Sequence, residues 1–388
     1  MLRYTAMIGL AAAIVFAALP AQAQGTVKVG ALLPMTGPQQ STGVQIAAAI
    51  RLYAAQHGDT VAGRKIQVIV KDDGAVAEAS RRLAQELIVN EKVDVLAGFG
   101  VTPTAFAVSP LATEAKIPQI VMAAGTSSVT ERSPYVVRTS FTLAQSSVIM
   151  AEWALKNGIR KVVSMVSDFA PGIDSENFFK DAFLKGGGEM SQFIRIPLTN
   201  PDFAPFLQRA RDARPDAVFI FVPSGQGGIF VRQFLERGLD KAGIKIIGPG
   251  DVTDDDLLNA MGDSVIGTVT AHMYSAYHPS PLNKDYVAAM RKANNLRPNF
   301  MSVGGYDGMH LVYAALAKTQ GKAGGDALVA AMKGMAWESP RGPIAIDPDT
   351  RDIVQNVYMR RVEKVEGELY NVEFETFPAV KDPGKAKR

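Results

Sequence analysis

VKVGALLPMTGPQQSTGVQIAAAIRLYAAQHG, residues 27–58, sets the pattern for the whole chain. An apolar run at 27–33 breaks at Pro34, a small polar loop follows, and a helix pattern runs on to Gly58. The run is continuous rather than alternating, so the strand is expected to be buried on both faces, as in a parallel sheet covered by helices. The loop carries Thr36, Gly37, Pro38 and Gly43 and aims the helix start at whatever lies beyond the strand end.

The same unit then recurs. KIQVIVKDD (65–73), VDVLAGF (93–99) and IPQIVMAA (117–124) read as strands, with AEASRRLAQELIVNE and PTAFAVSPLATEA as helices between them. A helix at 144–158 starts a second series. Its strands are 161–168, 190–198, 216–222 and 244–248, and its helices are ENFFKDAFLK, DFAPFLQRARDA and GGIFVRQFLERG. GTVTAHMYSAYHP (267–279) reads as a strand leaving this series, followed by helices near 283–294, 302–319 and 325–334. The remainder, from Pro343, alternates like antiparallel strands with a turn at Glu366-Gly367. The expected fold class is α/β, with two doubly wound parallel-sheet domains between which the chain passes several times. The expected division is 24–143 plus 275–335 for the N-terminal lobe and 144–274 plus 336–388 for the C-terminal lobe.

MLRYTAMIGLAAAIVFAALPAQA (1–23) has a basic start at Arg3, an apolar run from Ile8 to Leu19 and Ala-Gln-Ala before residue 24. This is the pattern of a secretory signal cleaved after Ala23. The run falls short of the roughly 20 residues that span a bilayer. The chain of 388 residues has no cysteine. Disulfides, thiolate metal sites, a cysteine nucleophile and a lipid-modified cysteine are thereby excluded, and a free periplasmic protein without membrane anchor is expected. With 41 Lys and Arg against 38 Asp and Glu, the surface carries no nucleic-acid footprint. The basic end KDPGKAKR (381–388) reads as a solvated tail.

Open α/β sheets bind ligands beyond the carboxyl ends of their strands. The loops to search are therefore 34–43, 73–76, 99–104, 124–128, 168–172, 223–227 and 249–253. Loop 34–43 has neither G-x-G-x-x-G nor a Gly-Lys-Ser/Thr ending, so it is no dinucleotide or P-loop site. It offers Gln39, Gln40 and Thr42 at a helix start. FGVTPT (99–104) puts Thr102 at another helix start, and AGTSS (124–128) supplies Ala124, Gly125 and Thr126. Helix N-termini with hydroxyls and close backbone make a carboxylate cradle without Lys or Arg. In the second series, Phe169, Pro171, Ser224 and Asp251 follow strand ends, and Met301 stands at the start of a later helix. Asp254-Asp255-Asp256 resembles a metal cluster, but acids at a helix start need no metal. The four histidines (57, 272, 278, 310) are scattered, and neither H-E-x-x-H nor G-x-S-x-G occurs. No catalytic residue, metal or cofactor is assigned. Tyr274, Tyr277 and Tyr306 read as core or hinge residues.

The ordered series VGALLPMTGPQQSTG, VKDDGAVAEASRRLAQELI, VDVLAGFGVTPTAFAVSPLATEAKIPQI, AAGTSS and PLTNPDFAPFLQRARDARPDAVFIF resembles the periplasmic leucine/isoleucine/valine-binding family. The likeness covers 26–375. It implies solute receptors of ABC importers, with two α/β domains joined by three crossovers that close on a ligand. It also implies a ligand carboxylate held at Thr102, Ala124 and Thr126. The family's wall aromatics fall on Thr42 and Pro171 here, its second-domain tyrosine near Pro223 or Ser224, and its ammonium-binding acid on Gly250, with Asp251 beside it. The carboxylate half of the pattern is thus kept and the ammonium half altered. The expected solute is a small organic carboxylate, aromatic acids included, with a branched-chain amino acid as the alternative in which Asp251 takes the ammonium. A permease and ATPase pair would be the partners of a monomeric receptor. A periplasmic sensing module and an exported hydrolase are the competing classes.

Overall fold

The computed structural model describes residues 25–198 and 201–385. The signal at 1–23 and its cleavage site lie outside the described residues. The first half runs β1 (Thr26–Leu33), α1 (Gln40–His57), β2 (Thr60–Val61), β3 (Arg64–Asp72), α2 (Ala77–Glu86), β4 (Val95–Gly98), α3 (Thr102–Ala115), β5 (Gln119–Val121) and β6 (Val136–Arg138). The second runs α4 (Leu143–Lys156), β7 (Lys161–Ser167), α5 (Ala170–Lys185), β8 (Glu189–Ile196), α6 (Ala204–Asp212), β9 (Ala217–Phe221), α7 (Gly227–Glu236), β10 (Lys245–Pro249), α8 (Leu258–Met261) and β11 (Val269–His272). Three helices follow, α9 (Pro281–Asn294), α10 (Phe300–Lys318) and α11 (Gly325–Met332). The chain ends in β12 (Ala336–Ser339), β13 (Gly342–Ile346), β14 (Ile353–Val365) and β15 (Glu368–Val380).

Two sheets result. The first has the order β2-β3-β1-β4-β5-β6, parallel apart from the short β2. The second has the order β12-β13-β14-β11-β10-β9-β7-β8, with β15 pairing along β14. Its β8 to β11 part is parallel, and β12 to β15 add antiparallel strands. Buried continuous strands such as β1 and β9 make the parallel cores, as the apolar runs predict. The strand order reverses at β1/β4 in one sheet and at β7/β9 in the other, so the loops after these strands open at the switch points.

Three connections pass between the sheets, at 139–142, 273–280 and 333–335. Each later element returns to its own side: α9 and α10 pack on α1, while β12 to β15 complete the second sheet. Three fully buried arginines brace these connections. Arg138 Nε lies 2.7 Å from Asp352 Oδ1, Arg341 Nη2 2.8 Å from Asp307 Oδ2, and Arg360 Nη1 3.5 Å from Asp255 Oδ2. Arg341 also donates to the carbonyls of Thr139 and Ser140, and Arg360 to that of Tyr274.

Four details differ from the sequence reading. The strand expected at 267–279 ends at His272, because backbone groups beyond it are met by side chains instead of a ladder. Asn283 Nδ2 donates to Ala276 O at 3.2 Å and to His278 O at 3.0 Å. Helix α5 starts at Ala170 rather than near Glu176, with Pro171 in its first turn, a position that suits the fixed φ of proline. Strands β2 and β6 and the pairing of β12 with β13 are additional, all from runs of two to five residues. Finally, the tail docks: Asp382 Oδ2 accepts from Ser127 Oγ at 2.5 Å, and Lys385 Nζ donates to Ser127 O at 2.7 Å and lies 3.0 Å from Glu131. The expected solvated tail is thus corrected for residues 382–385, whose charges find buried partners that composition does not reveal.

Candidate functional site

A narrow cavity of about 50 Å³ lies between the two sets of strand ends. Gln39 follows β1, Gly100 to Thr102 follow β4, and Ala123 to Gly125 follow β5; Phe141, Leu143 and Met301 complete that side. Opposite stand Phe169 and Pro171 after β7, Phe221, Pro223 and Ser224 at the end of β9, and Asp251 after β10. Asp251 is the one charged side chain among these lining residues.

One end of the cavity is built for an anion. The first-turn amides of α3 have no helical partner, and Pro103 in that turn has no N–H to satisfy. Gly125 N–H has no protein acceptor among the described residues. Thr102 Oγ1 donates to Thr126 Oγ1 at 2.9 Å, so two hydroxyls share one internal proton and leave one to donate outward. Arg138 fixes this loop from below. Its guanidinium donates to Ala124 O at 3.1 Å, Thr126 O at 2.8 Å and Phe141 O at 3.0 Å. The charge is spent on carbonyls and on Asp352, so the cradle is rigid and holds no free cation of its own.

The middle is apolar. Phe169 and Phe221 stack with ring centroids 6.0 Å apart, and Phe141 lies edge-on to Phe300 at 5.3 Å. Flat walls of this kind suit a planar ring. At the far end, Asp251 is 4% exposed and Ser224 Oγ donates to Asp254. Gly250 has no room for a side chain: an added Cβ would lie 1.9 Å from Arg360 Nη2 and 2.5 Å from His272 Cδ2. A side chain is thus shut out of the position at which the resemblance implied an ammonium-binding acid.

Nine of the twelve expected ligand-binding residues line this cavity: Gln39, Thr102, Ala124, Gly125, Phe169, Pro171, Ser224, Asp251 and Met301. Gln40 is exposed and does not, because it opens α1 facing outward. Thr42 is buried behind the cradle, with its Cγ2 against Gly100. Thr126 reaches the site through Thr102. Ala124 contributes surface only, since its N–H donates to Phe99 O at 3.0 Å and its carbonyl is taken by Arg138. Phe141, Leu143 and Phe221 escaped the sequence reading. Phe221 ends a strand and could have been found by extending each loop search two residues backwards.

The mouth is bridged by polar contacts between the two sides. Ser41 Oγ and Gln45 Nε2 donate to Asp256 Oδ2 at 2.8 and 3.2 Å. Asn299 Nδ2 donates to Asp254 Oδ2 at 3.1 Å and Asp256 Oδ1 at 3.2 Å, and Ser127 N–H donates to Asp174 Oδ2 at 2.9 Å. The three aspartates at 254–256 thus all have protein partners, Asp254 and Asp256 sharing Asn299 and Asp255 facing Arg360 and Ala276 N–H. Burial, reinforced by Asp256, holds the Asp254 carboxyl well above its usual range, and burial pushes Asp174 up to about 6.

Two α/β lobes, a three-stranded hinge and a cleft lined from both sides define the class of two-lobed solute-binding proteins. The chain belongs to the periplasmic binding protein family, whose model it matches over residues 26–367. It is 44% identical to Leu/Ile/Val-binding protein homolog 6 of Brucella melitensis, over 97% of this chain and 98% of that one. It is 69% identical, with TM-score 0.91, to a solute binding protein of an ABC transporter from Rhodopseudomonas palustris BisB5 solved with 3,4-dihydroxy benzoic acid, over 93% of this chain and 99% of that one. A second such protein, from R. palustris HaA2 with p-hydroxybenzoic acid, is 43% identical with TM-score 0.91, over 94% of this chain and all of the other. Among the described residues no helix is long and apolar enough to cross a membrane.

Proposed function

We propose that the protein is the periplasmic receptor of an ABC importer and carries an aromatic carboxylic acid of the hydroxybenzoate type. The observation that carries this reading is the pairing of an uncharged anion cradle at Thr102 and Gly125 with the flat walls of Phe141, Phe169 and Phe221. A carboxylate needs hydrogen bonds at one end and a planar ring needs apolar packing behind it. The ligands of the two R. palustris proteins have this chemistry.

The receptor works by closure. The lobes, taken as 24–143 with 275–335 and 144–274 with 336–388, swing about the crossovers, and a permease with its ATPase receives the solute from the closed form. The chain is exported by a signal cleaved after Ala23 and acts as a monomer, without catalysis. A branched-chain amino acid is the second reading, favoured by the Brucella relative's name and by the buried carboxylate of Asp251.

Isothermal titration of residues 24–388 separates the two. Micromolar or tighter binding of benzoate derivatives, with none of leucine or valine, supports the aromatic-acid reading. Leucine or valine binding with aromatic acids inert overturns it.

A further inference from the structure

Asp251 lines the cavity and carries an acceptor that no protein donor satisfies. Its Oδ2 has no hydrogen-bond partner among the described residues, although the residue is only 4% exposed. An acceptor kept from both water and protein is costly unless the ligand supplies a donor. Behind it stands His272, fully buried, with Nε2 3.8 Å from Asp251 Oδ2 and likewise unpartnered. Its Nδ1 accepts from Met273 N–H at 2.9 Å, so the proton of the neutral ring sits on Nε2 and points toward the carboxylate. Phe300 and Phe141 hold the ring in this orientation, their centroids 4.3 and 5.0 Å away. Burial draws the imidazole down to about 4, so it faces Asp251 as a neutral dipole and adds no positive charge of its own.

We infer that Asp251 accepts a hydrogen bond from a ring hydroxyl of the bound acid and that His272 is its positioning residue, so the receptor selects hydroxylated over unsubstituted aromatic acids. This rests on the aromatic-acid reading above. A ligand with a hydroxyl opposite its carboxylate meets the cradle at one end and Asp251 at the other. Benzoate fills the same walls but leaves Asp251 Oδ2 buried without a donor, and sites built for a hydroxyl discriminate strongly against analogues lacking it.

The test is the ratio of dissociation constants for benzoate and 4-hydroxybenzoate, measured by titration on residues 24–388. The wild type is expected to prefer 4-hydroxybenzoate at least 100-fold. Asp251→Leu should cut that ratio to below 5 while benzoate binding holds or improves, and the isosteric Asp251→Asn should fall between. His272→Leu should reduce the ratio about tenfold, and His272→Gln, which keeps an N–H donor, should restore part of it. A general packing defect would weaken both ligands alike and leave the ratio unchanged. Equal affinities in the wild type, or a preference that survives Asp251→Leu, overturn the hydroxyl-reading role while the aromatic-acid reading stands. Failure of both acids to bind the wild type removes that reading itself and this inference with it.

Discussion

At the scale of single residues, the proposed site rests on a few polar groups set among apolar walls. Thr102 has one hydroxyl proton, which Thr126 accepts in this structure and which turns to a bound carboxylate while Thr126 donates in its place. A hydrogen bond to a charged group contributes about 1.5–3 kcal/mol. Thr102→Val, which keeps the shape, should therefore weaken binding of the acid by about 10- to 100-fold in a titration, with a loss of stability of only about 1 kcal/mol from the missing bond to Thr126. His272 offers a second measurement. Its ring is held near 4 against an ordinary value near 6.5, by burial and by the nearby Arg360 and Arg341, with Asp251 pulling the other way. Between those values the unfolded chain binds the extra proton. The stability tied to this residue is complete above pH 6.5 and lost as pH falls toward 4, a difference of about 3 kcal/mol. Melting curves across that range should fall more steeply toward acid for the wild type than for His272→Gln. Thr102, Gly125, Phe169 and Asp251 were legible in the sequence because each follows a strand end. Phe141 and His272 were not, because one sits in a crossover and the other on a strand end reached only through the fold.

At the scale of elements, the parallel cores were legible because continuous apolar runs alternate with amphipathic stretches. The turn at Glu366-Gly367 was legible too: both residues have positive φ, 51° and 87°, as a two-residue hairpin turn requires. The limits of α5 and β11 were not, since Pro171 and the side-chain bonds of Asn283 set them. Nor was the docking of residues 382–385. A chain ended at Lys381 loses the bonds of Asp382 and Lys385 to Ser127, beside the cradle. It should be destabilised by about 2 kcal/mol in denaturant unfolding and bind its acid several-fold more weakly. The Arg138–Asp352 pair joins this same loop to the second lobe's chain. Removing one partner of such a buried pair leaves the other charge uncompensated, at about 3–5 kcal/mol. Arg138→Met should cost that much, and the double change with Asp352→Asn should cost less than the two singles combined.

At the scale of the whole molecule, function rests on the difference between open and closed forms. A solute shifts that balance only through contacts the closed form adds. Asp256, which accepts from Ser41, Gln45 and Asn299 across the mouth, belongs to the closed form alone in this scheme. Asp256→Ala should speed solute release about tenfold in stopped-flow measurements, leave the association rate nearly unchanged, and reduce the compaction that small-angle scattering detects on binding. The docked tail has a further consequence for the order in which the receptor is made. Asp382 and Lys385 grip Ser127 across separations of 255 and 258 positions. A chain delivered from its N-terminus presents the cradle well before the residues that steady it. Until that later segment arrives the cradle is half-built, and the site takes its final shape only from residues far along the chain.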